Sequence, residues 1–154
     1  MESCKKMLDT TTLPFTSHNS ACEPRAAVLD LAVLMSLPGV SQRRDAPVLK
    51  RLLGIFVVEM NRNIGLLQDG FAQGDREQIG RLTHRMKSSA LAMGAMCLGA
   101  QALRLDANLK AGVPLDPADG SAIATAWADV RQALLDEGLL SPDELGSIEA
   151  SIGS

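Results

Sequence analysis

The feature that most constrains this chain is an apolar stripe made of Leu49, Leu52, Leu53, Phe56, Val57, Met60, Ile64, Leu67 and Phe71. Steps of three, one and four bring these residues to one side only if the segment is a helix. Pro47 suits its first turn, where the missing N–H costs nothing, and Gly74 suits the position just past its end. A helix this long with one continuous apolar face cannot stand alone in water, so other helices must cover it.

The rest of the chain supplies them. Asp75 can cap a helix, with Gln78 three residues on as a capping box; Ile79, Leu82, Met86, Ala90 and Met93 form its buried face, and Gly94 can stop it in the left-handed conformation. Leu98, Ala102, Leu105 and Leu109 make the seam of a fourth helix that Gly112 and Pro114 close, and Asp116-Pro117 opens a fifth carrying Ile123, Trp127, Val130 and Leu134 up to Gly138. Upstream, Val28, Leu31 and Met35 mark a short first helix ended by Pro38-Gly39, and Ser41 to Asp45 is a charged connector. The expected fold is all-α: an antiparallel up-down four-helix bundle with an additional short N-terminal helix. Residues 1–25, polar and without period, are expected to be a flexible tail, residues 26–140 the bundle, and residues 141–154 a C-terminal tail in which Ser141-Pro142 can open a short helix.

Composition narrows the classes of function. The 154 residues suit one domain and one core. The aromatic residues are Phe15, Phe56, Phe71 and Trp127, so Leu, Ala, Met and Val must do the packing, a mix that favours helices over sheets. Net charge is −3 and the basic residues are scattered, which argues against a nucleic-acid partner. Cys4, Cys22 and Cys97 are odd in number and lack CxxC spacing, which argues against a disulfide framework and a zinc site and suits a reducing cytoplasm. No segment reaches the roughly 18 uninterrupted apolar residues of a membrane span, so a soluble protein is expected. No large unexplained apolar stripe demands a dimer, so a monomer is expected.

Of the two histidines, His18 falls in the polar tail and reads as an ordinary exposed residue, whereas His84 falls in the middle of the third helix. At about 100° per residue, and with Ile79 at the centre of the buried face, His84 lies about 140° away and points to solvent. Its neighbours one and two turns off are Gly80, Lys87, Ser88 and Leu91. Small residues leave the imidazole proud, Lys87 puts a cation beside it, and Leu91 adds an apolar spot that suits an approaching protein. Gly80 has two readings: room for a partner's backbone, or one more tolerated helical glycine like Gly54, Gly65 and Gly99.

The run Thr83-His84-Arg85-Met86-Lys87-Ser88-Ser89-Ala90-Leu91-Ala92-Met93-Gly94-Ala95 resembles the signature of histidine-containing phosphotransfer (HPt) domains, which reads His, any residue, Leu, Lys, Gly or Ser, Ser or Ala, and later Gly-Ala. The likeness extends from about Val28 to Leu134. It implies a carrier in a bacterial-type phosphorelay, in which His84 accepts a phosphoryl group from the aspartyl phosphate of a receiver domain and passes it to another receiver. Lys87 would be the accompanying lysine, giving electrostatic support, and Gly94 the end of the active helix. Gly80, Arg81, Ser88 and Leu91 would form the surface that docks a partner. The implied partners are response-regulator receiver domains and a hybrid sensor histidine kinase. Met86 stands where Leu is commoner, a volume-conserving change, and Ser88 often corresponds to Gly, so its bulk bears on which receiver docks.

The chemistry asks little of the carrier. Exposed imidazoles are mostly neutral near pH 7 and have a ring nitrogen with a free lone pair, so attack on phosphorus needs no general base. Lys87 would oppose a positive charge on the ring and offset the charge of the phosphoryl group. The chain is expected to hold no cofactor and no metal of its own; the partner receiver would supply the aspartate and a divalent ion. Two other classes compete. A histidine kinase segment typically follows its His with an acidic residue and then Pro, but here Arg85 follows, no Pro occurs between His84 and Pro114, and no Gly-rich ATP lid is present, so kinase activity is not expected. A non-transferring helical adaptor that binds a receiver or kinase would show the same docking features.

Overall fold

In the computed structural model, which describes residues 28–152, every regular element is a helix: α1 Leu31–Met35, α2 Pro47–Gln73, α3 Arg76–Ala92, α4 Met96–Lys110, α5 Pro117–Asp136 and α6 Pro142–Ile152. The expected tail at residues 1–25, with His18, Cys4 and Cys22, lies outside the described residues.

The helix ends follow from local chemistry. Asp30, Asp75 and Asp116 each place a carboxylate on an orphan N–H of the first turn, on Ala32 at 3.0 Å, Gln78 at 3.1 Å and Ala118 at 3.0 Å. Gly74 ends α2 at φ +67°, a conformation nearly free for glycine and costly for other residues. The capping box expected at Asp75 is only half formed. The Gln78 side chain turns away and donates to the Leu66 carbonyl at 2.9 Å, bracing α3 against α2.

The core lies where the stripes meet. Leu49, Leu53, Phe56, Val57, Met60 and Leu67 of α2 are buried against Ile79, Leu82, Met86 and Ala90 of α3, Leu98, Ala102 and Leu105 of α4, and Ile123, Ala126, Trp127, Val130 and Leu134 of α5. Each of the Leu, Ile, Val, Met and Phe side chains contributes about 1.5–3 kcal/mol on leaving water, which outweighs any single surface contact. Met93 is only half-buried, because it lies past the end of α3 as its C-cap. Helix α2 touches α3, α5 and α6, and α4 touches α3 and α5, so α2 to α5 close into a ring. Facing residues run in opposite chain order: Gly70 with Ile79 and Glu59 with Ser89 between α2 and α3, Gly80 with Leu109 and Leu91 with Gly99 between α3 and α4. At Gly70 the approach is so close that a Cβ would lie 2.9 Å from Ile79 Cγ1.

Helix α1 is shorter than the apolar residues from Val28 onward suggest. Its role is to close the far end of α3: Asp30 N–H donates to the Gly94 carbonyl at 2.7 Å, and Gly94 has φ +77° with room for no Cβ, which would meet the Asp30 carbonyl oxygen at 2.6 Å.

The segment after Ser141 forms a helix of the kind Ser141-Pro142 can open, and it is well anchored. Ser141 and Glu144 cap it reciprocally, with Ser141 N–H donating to Glu144 Oε2 at 2.7 Å and Glu144 N–H donating to Ser141 Oγ at 3.1 Å. Those bonds, with Lys50 at 3.0 Å, hold the Glu144 carboxyl below the usual carboxylate range. Arg131 of α5 then grips Glu149 with two bonds of 2.6 and 2.8 Å, and Asn61 links that carboxylate to the indole N–H of Trp127, which donates to Asn61 Oδ1 at 2.6 Å. Polar residues, invisible to an apolar-period reading, secure this helix. One expectation is corrected: Cys97 is buried and disulfide-bonded, against the expectation of unbridged cysteines. No described helix is long and apolar enough to cross a membrane.

Candidate functional site

Helix α3 sorts its side chains sharply. Ile79, Leu82, Thr83, Met86 and Ala90 are buried, and His84 and Arg85 are exposed. Thr83 is a buried polar residue that the apolar wheel omits; its hydroxyl is satisfied by donating to the Ile79 carbonyl at 2.8 Å. Burying Thr83 fixes the roll of the helix and leaves the next residue, His84, outside at the rim of the α3–α4 seam. It is the only histidine among the described residues.

An open groove runs along that seam, lined by Gly80, Arg81, His84, Arg85, Ser88 and Ser89 of α3 and by Asp106, Leu109 and Lys110 of α4. Gly80 is its half-buried floor, where a Cβ would meet only Leu109 Cδ1, at 3.9 Å. Arg81 is exposed and pairs with Glu77 one turn back at 3.3 Å. Ser88 is exposed beside His84, and Ser89 turns the other way and donates to Glu59 of α2 at 3.2 Å.

Lys87 departs from the expected picture of an exposed cation. Its side chain is 18% exposed and reaches across to α4, where Nζ sits 2.9 Å from Asp106 Oδ2. The cause is the same face that buries Thr83: Lys87 lies four residues further along it, so its stem packs in the seam and its ammonium meets the buried carboxylate. Lys110 joins the same oxygen at 3.0 Å. The Lys87 hydrogen bond, with Lys110 adding to it, holds the Asp106 carboxyl below the usual range against the opposing effect of burial, so Asp106 stays charged. Leu91 is exposed, as expected, but stands outside the groove lining, and its side chain lies over Gly99 of α4, where a Cβ would come within 2.5 Å of Leu91 Cδ2.

The structure therefore gathers Gly80, Arg81, His84 and Ser88 into one groove, connects Lys87 to it through Asp106, and leaves Leu91 aside. Sequence reasoning missed Asp106 and Lys110. The signal was available: Asp106 is an acid set into the seam of α4, next to Leu105 and four residues after Ala102, with Lys110 a turn beyond. Among the described residues no three His, Cys, Asp or Glu side chains gather into a group that holds a metal.

A helical bundle that presents one exposed imidazole in a groove ringed by cations defines a class of protein by fold and site. The Hpt domain family model matches residues 51–134, more than half of the chain, and the chain belongs to that family, whose members serve as phosphotransfer carriers in phosphorelays. No curated protein and no solved structure is similar enough to the chain to count as a match. The matched span covers most of α2, all of α3 and α4 and nearly all of α5; α1 and α6 fall outside it.

Proposed function

We propose that His84 is the phosphoryl-accepting residue, and that the chain takes the group from the aspartyl phosphate of one receiver domain and gives it to a second receiver. The observation that carries this reading is the exposure of His84 on the rim of a cation-lined groove, inside the segment that the family matches. The lone pair of a neutral ring nitrogen attacks phosphorus, a nitrogen–phosphorus bond forms, the phosphorus–oxygen bond to the aspartyl carboxylate breaks, and the carboxylate leaves with the electron pair. The proton on the other ring nitrogen is then released to solvent. Transfer to the next receiver reverses these steps.

In this reading the chain's own residues position and neutralise. Thr83 in the core and Met86 below set the roll of α3 so that the ring stands clear. The cations Arg81, Arg85, Lys110 and the Asp106-held Lys87 favour the approach of a dianionic group. Gly80 and Ser88 keep the groove low enough for a receiver to bring its aspartate to the ring. The receiver brings the divalent ion, a hybrid sensor histidine kinase supplies the first receiver, and this chain acts as a monomer. The test is a chase: receiver domains from the same cell are phosphorylated, mixed with the protein, and a second unlabelled receiver is added. Label moving onto the protein and then to the second receiver is the expected result. Binding of phosphorylated receivers without movement of label would overturn it in favour of an adaptor.

A further inference from the structure

The groove holds one group that a phosphoryl acceptor site does not call for: a buried carboxylate. Asp106 has a side chain 7% exposed, with Lys87 and Lys110 both on its Oδ2 at 2.9 and 3.0 Å. It lines the same groove as His84. A negative charge on the wall of a site that takes a dianion opposes the ligand directly. It also engages two ammonium groups, those of Lys87 and Lys110. As a pin between α3 and α4, Asp106 needs Lys87 alone; Lys110 lies on α4 itself, four residues beyond Asp106, and ties no second helix. The convergence of both cations on one oxygen in the groove that His84 also lines therefore has a consequence for charge more than for folding.

We propose that Asp106 is a positioning residue that holds Lys87 and Lys110 at the groove and, through its own charge, limits how long a phosphoryl group stays on His84. This rests on His84 as the acceptor. The group leaves when the nitrogen–phosphorus bond breaks, the electron pair returns to the ring, a proton reaches the ring, and water or an incoming carboxylate takes the phosphorus. Nearby positive charge slows this step twice, by stabilising the dianion and by opposing protonation of the ring. Asp106 reduces the sum of the three charges from +2 to +1, so it keeps the bond labile enough for onward transfer.

The test uses phosphoramidate, which needs no receiver: its nitrogen–phosphorus bond breaks, the bond to His84 forms, and ammonia leaves. After excess donor is removed, the half-life of acid-labile phosphate is followed in the parent, Asp106→Asn and Lys110→Gln. Asp106→Asn is expected to lengthen the half-life about three- to tenfold at low ionic strength, and Lys110→Gln to shorten it by a similar or smaller factor. Both differences should shrink near 1 M salt, where the screening length falls to about 3 Å. A purely structural Asp106 would lower the melting temperature and leave the half-life unchanged. Equal half-lives in all three proteins, or changes of the same sign, would overturn the proposal; if Asp106→Asn does not fold, Lys110→Gln decides alone. A parent that is labelled on His84 but exchanges with no receiver removes the relay reading and leaves this one standing. A parent that takes no label removes both.

Discussion

Gly80 offers the sharpest link between packing and function. In a helix interior glycine is about 0.5–1 kcal/mol worse than alanine, because it loses more backbone freedom on folding. At Gly80 nothing offsets a gain from adding a methyl group, since the new Cβ would meet only Leu109 Cδ1, at an ordinary 3.9 Å. Gly80→Ala should therefore stabilise the fold by about 0.5–1 kcal/mol and raise the melting temperature by about 1–4 °C for a chain of this size. Gly99 is the control, equally helical but covered: a Cβ there would lie 2.5 Å from Leu91 Cδ2 and 2.8 Å from Leu91 Cγ, so Gly99→Ala should lose its propensity gain to overpacking and melt below the parent. Thermal and urea unfolding followed by circular dichroism give both numbers. A Gly80→Ala protein less stable than the parent would refute the open-floor geometry of the groove. With the geometry upheld, Gly80→Trp fills the groove beside His84, and it should fold yet fail to exchange phosphate with receivers. A Trp variant that exchanges at the parental rate would remove Gly80 from the docking surface.

Lys87→Ala should do more than trim a surface charge: it leaves buried Asp106 with Lys110 alone and is expected to cost about 1–3 kcal/mol by urea unfolding, whereas a change under about 0.5 kcal/mol would show that the pair is not formed in solution. Arg131→Ala removes both bonds to Glu149 and should loosen α6, seen as faster hydrogen exchange in residues 142–152 with the protection of α3 unchanged; equal exchange in both proteins would contradict the anchoring. The pH dependence has a definite sign. Because the folded Asp106 carboxyl titrates below its unfolded value, its contribution is complete above about pH 4, the unfolded value, and is lost as pH falls through the lower folded one. The melting-temperature gap between the parent and Asp106→Asn should narrow in acid; a gap that widens there would contradict the pairing.

Much of this molecule was legible in the chain because the bundle is built from apolar period and end signals. The stripe from Leu49 to Phe71, the caps at Asp75 and Asp116 and the stops at Gly74 and Gly94 are local, and local chemistry decides them. The exposure of His84 followed from the same helical phase. What escaped is held by polar contacts between residues far apart in sequence: Arg131 with Glu149, Lys50 with Glu144, and above all Lys87 with Asp106. Such pairs have no period, and a lysine at i+3 from a histidine looks exposed until the neighbouring helix presents a carboxylate. Leu91 is exposed, as its helical phase implies; that its side chain lies over Gly99, outside the groove, depends on the facing helix, which the phase does not show.

The most direct test of the central claim is to map acid-labile phosphate on the protein after incubation with a phosphorylated receiver, in the parent and in His84→Gln. The parent should carry phosphate on the peptide containing His84. The variant should carry none while melting within about 1–2 °C of the parent, because an exposed side chain contributes little packing. Phosphate retained by His84→Gln at the parental level would contradict the account.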